Sequence, residues 1–190
     1  MAKGAADFSK SSKTEEQYTP PEWWQRVIMV MGRIDVDPAA DPDKRVLAQH
    51  HFTKNEDGLK QPWEGKVFLN PPFGRSVGTW FIKLKEEFKK GNTTEAIVLW
   101  KAALETRANR TLISIPEYRI SAVPYGRVSF LSGDPLSHHG TGEVATFTPI
   151  FHYFGPHEQK FMRIFGVHCT LWRPIPITFH GHQKNLTEEQ

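Results

Sequence analysis

The chain has 190 residues, which is enough for one compact domain with its own core and too few for two ordinary ones. Hydrophobic residues make up 38% and charged residues 24%, a balance typical of a globular protein. The absence of any run of 18 or more apolar residues argues against a transmembrane helix, and the single cysteine, Cys169, excludes an intrachain disulfide and a cysteine-based zinc cluster. The net charge of +3 is compatible with a nucleic-acid partner but does not require one.

Both ends of the chain are polar and lack apolar periodicity. We therefore expect flexible tails at residues 1–17 and 180–190, flanking a single domain at residues 18–179. The N-terminal segment has no apolar stretch that would make a signal peptide, and one cysteine is typical of a reducing compartment, so we expect a cytoplasmic protein.

The first helix signal is the run Thr19-Pro20-Pro21-Glu22. It predicts a capping box, with Thr19 as N-cap, a proline in the first helical position and Glu22 three residues after the threonine. Apolar residues at helical spacing follow, and Gly32 is expected to end the helix. The next elements in chain order are predicted as a strand, a short helix, a weak strand, a turn and a clear strand: residues 33–37, 39–49, 51–53, 55–58 and 66–69.

The residue pattern after position 76 predicts two helices and several strands. In chain order these are a helix over 77–88 closed by Gly91, a strand over 95–100, a helix over 107–114, and strands over 127–131, 144–154 and 165–172. Strands alternate with helices at first and cluster at the end. This order predicts an α/β fold with a mostly parallel sheet, antiparallel C-terminal edge strands and flanking helices.

Three polar residues fall at predicted strand ends or in the turns that follow them: Asp37, Asp57 and Asn70. In a parallel α/β sheet, ligands bind beyond the carboxyl ends of the strands. The three positions together therefore predict a binding site along that edge.

The run Asn70-Pro71-Pro72-Phe73 follows a short strand directly, and its groups are suited to the methylation of an exocyclic aromatic amine. The exocyclic amine of adenine is a poor nucleophile because its lone pair is delocalised into the ring. Two acceptors aimed at its hydrogens, the Asn70 side-chain oxygen and the Pro71 carbonyl, would draw the nitrogen toward sp³ character. Consecutive prolines stiffen the loop, and Phe73 offers a flat face to a flipped base. A rigid turn without catalytic function is the alternative interpretation.

Several motifs in a fixed order resemble the phage-type DNA N6-adenine methyltransferase family. Asn70–Phe73 is similar to the (Asp/Asn/Ser)-Pro-Pro-aromatic motif of amino-methyltransferases, and Thr19-Pro20-Pro21 to a motif that precedes the cofactor-binding strand. The resemblance covers roughly residues 19–130. The other motifs that carry the resemblance are the runs Val36-Asp37-Pro38-Ala39-Ala40, Asp57-Gly58-Leu59, Glu105-Thr106-Arg107 and Gly126-Arg127-Val128-Ser129-Phe130.

The resemblance implies a compact Rossmann-like methyltransferase fold that uses S-adenosylmethionine, acts on double-stranded DNA in a bacterial cell carrying the phage or prophage, and needs no metal. It implies that Asn70, Pro71, Pro72 and Phe73 form the target-base site. It also implies a cofactor site with Thr19 at the amino-acid end, Asp57 at the adenine amine, and Pro20, Asp37, Pro38 and Ala39 around it. The first cofactor motif here has no glycine, which departs from the usual methyltransferase pattern.

Contacts to DNA are predicted for Arg75, which follows the catalytic loop, and for Lys101 and Arg107 near another strand end. Solvated surface charge is the alternative for each. Residues 116–142 are the only sizeable candidate for recognising a DNA sequence. Two other functions stay open: a catalytically silent module that binds DNA or the cofactor, and methylation of cytosine N4 or of RNA.

Overall fold

The computed structural model describes residues 17–74, 76–132, 143–144 and 147–174. The tails expected at 1–17 and 180–190 lie outside this range, apart from Gln17, which begins the first strand. Arg75 also lies outside it, as do residues 133–142 of the segment considered for sequence recognition.

Helices and strands alternate through most of the described chain. The helices are α1 Pro21–Met31, α2 Val77–Lys89, α3 Arg107–Ile113 and α4 Glu158–Phe165. The strands are β1 Gln17–Tyr18, β2 Ile34–Asp37, β3 Ala48–His51, β4 Gly65–Leu69, β5 Thr93–Lys101, β6 Tyr118–Pro124, β7 Ser129–Ser132, β8 Glu143–Val144, β9 Pro149–Phe154 and β10 Cys169–Trp172.

The main sheet has seven strands in the order β10-β6-β9-β5-β4-β2-β3. Neighbours from β3 to β5 are parallel, whereas β9 pairs antiparallel with both β5 and β6, and β10 pairs antiparallel with β6. Five of the seven strands therefore run in one direction, which confirms a mostly parallel sheet. Of the antiparallel strands predicted at the edge, β10 lies there, whereas β9 lies inside the sheet between β5 and β6. A smaller sheet has the order β1-β7-β8.

Helices cover both faces of the main sheet because its central strands are apolar on both sides. On one face, Phe68 and Ile97 share a buried cluster with Trp23 of α1 and Phe161 of α4. The cluster on the other face is built from β4 and β5 together with α2, α3 and the loop before β4, and its members include Val67, Val98, Phe81, Leu112 and Trp63. Strands buried on both faces read as continuous apolar runs, which is why β4 and β5 could be predicted from the sequence.

The predicted capping box at the start of α1 is wrong. The helix begins at Pro21, its N-cap is Pro20, and no side chain caps it by a hydrogen bond. Proline is favoured at the first helical position, and either proline of the pair satisfies that preference, so the helix starts one residue later than predicted. The Thr19 hydroxyl is thereby available for another contact. The predicted end at Gly32 is confirmed, with φ of 85°.

The short helix predicted over residues 39–49 does not form. The Asp41 side chain accepts hydrogen bonds from the backbone amides of Asp43 (2.9 Å) and Arg45 (3.2 Å). Short aspartate side chains compete with helical hydrogen bonds in this way, and Pro42 removes a further donor. The segment is consequently a turn, and β3 begins at Ala48 instead of at residue 51.

The strand predicted over residues 165–172 is wrong in its first part, where α4 ends at Phe165 and β10 begins only at Cys169. The strand predicted over 144–154 is two strands, β8 and β9, and residues 145–146 lie outside the described range. Both β6 and α4 were missed. The spacing of Phe161 and Phe165, four residues apart and both buried, is the signal that indicates α4.

Glu87 links the C-terminal end of α2 to the loop before β4 by hydrogen bonds. Its buried carboxylate accepts hydrogen bonds from Lys83 (2.8 Å), the Asn92 side chain (2.8 Å) and the Trp63 backbone amide (3.2 Å). Burial by itself would raise the pKa of Glu87, but these donors outweigh it and hold the pKa at about 2. Because this pKa lies below the ordinary glutamate pKa of 4.5, the ionised carboxylate stabilises the folded state above pH 4.5.

Glu87→Gln is therefore expected to lower the free energy of unfolding at pH 7 by up to about 3 kcal/mol, since the pKa falls from 4.5 to about 2 and one pKa unit corresponds to roughly 1.4 kcal/mol. The difference from the wild type should shrink as pH falls from 4.5 toward 2, where the wild-type carboxyl becomes protonated in the folded state too. Urea unfolding at several pH values measures this. Glu86→Gln, at the exposed neighbouring position, serves as control. A difference that does not change with pH would contradict the assignment.

Candidate active site

A cleft of about 630 Å³ opens at the carboxyl edge of the parallel strands. The loops that follow β2, β3 and β4 form most of it, through residues 38–42, 44, 52–58 and 70–72, and Tyr18 and Trp80 complete the lining. Because β2 lies between β3 and β4, these three loops are neighbours in space. The cleft thus lies where ligands bind in parallel α/β sheets.

Main-chain contacts tie the loops after β2 and β3 together. The Phe52 amide donates to the Asp37 carbonyl and the Ala40 amide donates to the Phe52 carbonyl, both at 3.0 Å. Gly58 lies so close to the first loop that a Cβ atom added there would be 1.9 Å from the Pro38 carbonyl oxygen. One side of the cleft is therefore a single backbone-linked unit that requires glycine at position 58.

The glycine-free turn after β2 is organised by Asp41. This buried carboxylate accepts the Asp43 and Arg45 amides and pairs with the Arg45 guanidinium at 3.2 Å. The same guanidinium lies 4.8 Å from the centre of the Tyr18 ring and also pairs with Asp43. Aspartate hydrogen bonds thus hold a turn that in many nucleotide-binding loops is made by glycines. Asp41 was not among the predicted site residues, although an aspartate directly before a proline, here Pro42, is a sequence signal for such a turn.

Of the predicted cofactor residues, Pro38, Ala39 and Asp57 line the cleft, whereas Thr19, Pro20 and Asp37 do not. Asp37 lies buried at the end of β2, where its Oδ1 accepts the Ala39 amide at 3.3 Å. Burial raises the pKa of Asp37 to about 7, the Ala39 hydrogen bond opposes the increase, and the negative charge of Asp41 adds to it. Asp37 therefore stabilises the loop after β2 through the Ala39 amide, without lining the cleft itself.

The loop after β3 brings further carboxylates to the cleft. Asp57 adopts a left-handed conformation (φ 53°) and pairs with Lys60 at 3.0 Å. Glu56 accepts hydrogen bonds from the Thr53 hydroxyl and from the Thr53 amide (2.8 Å), and these bonds lower its pKa. Together with Asp41, these side chains bring three carboxylates to this side of the cleft, where Lys44 and Lys54 offset part of their charge.

The strand β4 delivers Asn70, Pro71 and Pro72 to the opposite side of the same cleft. The Asn70 Nδ2 atom donates a hydrogen bond of 3.1 Å to the Thr19 hydroxyl. Thr19 is 4% exposed and directly follows β1, which pairs with β7. The structure thus brings together two motifs that lie 51 residues apart in sequence.

Phe73 does not line the cleft and belongs to an aromatic cluster beside it. Its ring centre lies 5.1 Å from that of Trp100, in a stacked arrangement, 4.8 Å from that of Phe147 and 6.3 Å from that of Phe130. Trp80 is buried and also lines the cleft, and its ring stacks on that of Trp63 with the ring centres 6.0 Å apart.

Two of the three predicted DNA contacts, Lys101 and Arg107, lie at the same edge of the sheet. Lys101 ends β5 with its ammonium 5.4 Å from the centre of the Trp100 ring, and the exposed Arg107 begins α3. Arg75 lies outside the described residues. In the part of the chain that the structure describes, no three His, Cys, Asp or Glu side chains are grouped to hold a metal ion, and no helix is long and apolar enough to cross a membrane.

Comparison with known proteins identifies the family. No curated protein matches the chain. The family model described as DNA N-6-adenine-methyltransferase (Dam) matches residues 9–160, which include every residue of the cleft and the whole of the parallel part of the sheet. The chain therefore belongs to the DNA N-6-adenine-methyltransferase (Dam) family.

Proposed function

We propose that this protein transfers a methyl group from S-adenosylmethionine to the N6 amine of a flipped adenine in double-stranded DNA. The observation that carries the proposal is the composition of the cleft, where the polar loops after β2 and β3 face the Asn70-Pro71-Pro72 loop across one space. A donor site and an acceptor site that share one cleft can bring two reactants into contact. We further propose that the single domain is of the Rossmann-like methyltransferase type.

The cleft fits the cofactor in its size and in the polar groups that line it. Its volume of about 630 Å³ lies within the range of small-molecule sites. Glu56 and Asp57 line the cleft with carboxylates, and the cofactor carries an ammonium group, a sulfonium, ribose hydroxyls and an adenine amine. We propose that Pro38 and Ala39 contact the cofactor through the main chain and that Asp57 accepts from its adenine amine. When bound, S-adenosylmethionine supplies a methyl group activated by the sulfonium.

The protein's own contribution is alignment and hydrogen bonding at the target amine. Asn70 would accept one amine hydrogen on its side-chain oxygen, and the Pro71 carbonyl would accept the other. Both bonds favour a localised nitrogen lone pair, and they strengthen as positive charge develops on that nitrogen. Locked φ angles at Pro71 and Pro72 hold the carbonyl in place before the base arrives, so little reorganisation is needed.

We assign DNA backbone contacts to Lys101 and Arg107, whose charges lie at the ends of elements that border the aromatic cluster. Contacts from such residues to phosphates orient the duplex without reading its sequence. Binding should therefore weaken as salt concentration rises, since each neutralised phosphate releases a counterion.

The proposed function is tested by incubating the protein with tritiated S-adenosylmethionine and unmethylated duplex DNA, followed by nucleoside separation. We expect the label in N6-methyladenine. Label in N4-methylcytosine, or transfer to RNA in preference to DNA, would assign a different substrate. Cofactor binding without transfer to any of these substrates would identify a silent module. Mapping of N6-methyladenine in DNA from cells that express the chain then gives the recognised site.

Phe73→Ala is expected to weaken capture of the flipped base and to raise the KM for DNA by about 10-fold or more, because stacking of a base on an aromatic ring is worth about 1–3 kcal/mol. Steady-state kinetics on a duplex with the mapped site measure the effect. Phe73→Tyr should retain stacking.

Phe88→Ala controls for lost packing. Phe88 lies near the C-terminal end of α2, away from the cleft, and is buried against Phe154. The variant should lower the melting temperature without raising KM. A normal rate for Phe73→Ala on duplex DNA would show that the ring serves only to pack against its aromatic neighbours.

A further inference from the structure

The hydrogen bond between Thr19 and Asn70 has a chemical consequence for the proposed reaction. Thr19 is buried, and its hydroxyl accepts from the Asn70 Nδ2 atom at 3.1 Å. The hydroxyl does not cap α1, because the N-cap is Pro20 and no side-chain hydrogen bond caps the helix. It is therefore directed to the amide of the catalytic loop.

The backbone on both sides fixes the position of this hydroxyl. Tyr18, the preceding residue, pairs with Leu131 between β1 and β7. Pro20 follows with φ of −61°, and Pro21 begins α1. A strand pairing and two proline rings leave Thr19 little freedom, so the hydroxyl is a fixed reference point for the side chain that it contacts.

An asparagine side chain needs such a reference point if it is to act on an amine. Rotation about its last torsion is broad, so an amide held at one end only can turn its plane away from the target. If the Asn70 amide turned by 180°, its NH₂ group would face the target amine. Two donors would then face each other, and no hydrogen bond would form. The hydrogen bond from Nδ2 to the Thr19 hydroxyl fixes the nitrogen of the amide on one side. The oxygen consequently points to the opposite side.

We propose that Thr19 is a positioning residue that holds the plane of the Asn70 amide so that its oxygen meets the target amine. The inference rests on the proposed function, in which Asn70 accepts a hydrogen from that amine. It differs from a role for Thr19 at the amino-acid end of the cofactor, and the two roles predict different kinetic results.

Thr19→Val removes the hydroxyl with almost no change in side-chain shape. We expect kcat to fall about 10- to 100-fold, the scale on which small misplacements of catalytic groups act. The Kd for S-adenosylmethionine, measured by calorimetry without DNA, should stay within about threefold. Thr19→Ser, which restores a hydroxyl, should recover kcat to within about threefold of the wild type.

Thr93→Val is the matched control. Thr93 is also buried, and its hydroxyl donates a 2.8 Å hydrogen bond to the Trp63 carbonyl at the start of β5, the opposite end of the parallel strands. It should lose stability comparable to that lost by Thr19→Val, measured by urea unfolding, while kcat stays near the wild-type value.

A double-mutant cycle then tests whether Thr19 acts through Asn70. In single-turnover reactions with tritiated cofactor, adding Thr19→Val to Asn70→Ala should cause no further loss, because the amide to be positioned is gone. An equal loss in both backgrounds overturns the proposal.

The outcomes separate the two levels of the argument. A wild-type protein that transfers no methyl group would refute the proposed function itself. An active wild type with an unchanged kcat in Thr19→Val would refute only the positioning role. A cofactor Kd that rises in step with the loss of activity would assign the hydroxyl to the cofactor and overturn the inference.

Discussion

Asn70→Ala should reduce methyl transfer on the order of 10³-fold while changing the cofactor Kd by no more than a few-fold. The variant removes one of the two proposed acceptors at the target amine, and the loss of a single preorganised polar group at a developing charge costs about 10²–10³ in rate in other enzymes. Tritium transfer under single-turnover conditions gives the rate, and calorimetry gives the Kd.

Asn70→Asp is the conservative counterpart, because a carboxylate keeps an acceptor oxygen at the same place. It should retain far more activity than Asn70→Ala at pH 7. Since Asn70 follows a buried strand and lines the cleft, circular dichroism and the melting temperature must show that both variants are folded. Activity that survives in Asn70→Ala would disprove the catalytic assignment of this residue.

Gly58→Ala should be the most damaging change on the proposed cofactor side. The new Cβ atom would be 1.9 Å from the Pro38 carbonyl oxygen and 2.9 Å from the Pro38 carbonyl carbon. Both are backbone atoms, so one of the two loops must move. We expect a loss of about 2 kcal/mol in the free energy of unfolding, as for other overpacked sites, and at least a tenfold increase in the cofactor Kd.

Gly78→Ala provides the comparison, because it makes the same chemical change in α2 where no atom lies within 4 Å of the added Cβ. Alanine is the better helix former, so this variant should be neutral or stabilised by up to about 1 kcal/mol, with an unchanged cofactor Kd. Equal behaviour of the two alanine variants would show that the loops after β2 and β3 are not coupled at Gly58.

The local structure around Asn70 could be predicted from the sequence because strong local signals agree there. A buried apolar strand, two prolines and an amphipathic helix follow one another in the chain, and each is determined within a few residues. The common edge that holds Asp57 and Asn70 followed from the alternation of strands and helices, since the carboxyl ends of parallel strands share one side.

Other features depended on competition between local signals. Residues 39–49 contain good helix formers, but the side chain of Asp41 captures the amides that a helix would have used. At the start of α1, the pattern for a capping box fitted Thr19, and the choice between Pro20 and Pro21 as the first helical residue decided against it.

The remaining features arise from distant parts of the chain, which single-sequence periodicity does not connect. The hydrogen bond between Thr19 and Asn70 depends on where β1 is held by β7. The surroundings of Phe73 are contributed by β5, by β7 and by the segment before β9, through Trp100, Phe130 and Phe147. The motif identified Phe73 as a candidate, but only the folded chain shows its neighbours.

Among the residues that the structure describes, those that line the cleft all come from the first 80 positions of the chain. The antiparallel strands β9 and β10 and the helices α3 and α4 contribute to the core but not to that lining. The described chain is thus divided into an early part that lines the cleft and a later part that adds strands to the sheet and side chains to the core. Among the described residues, a substitution after position 80 would therefore alter the lining only indirectly, through the packing of the sheet.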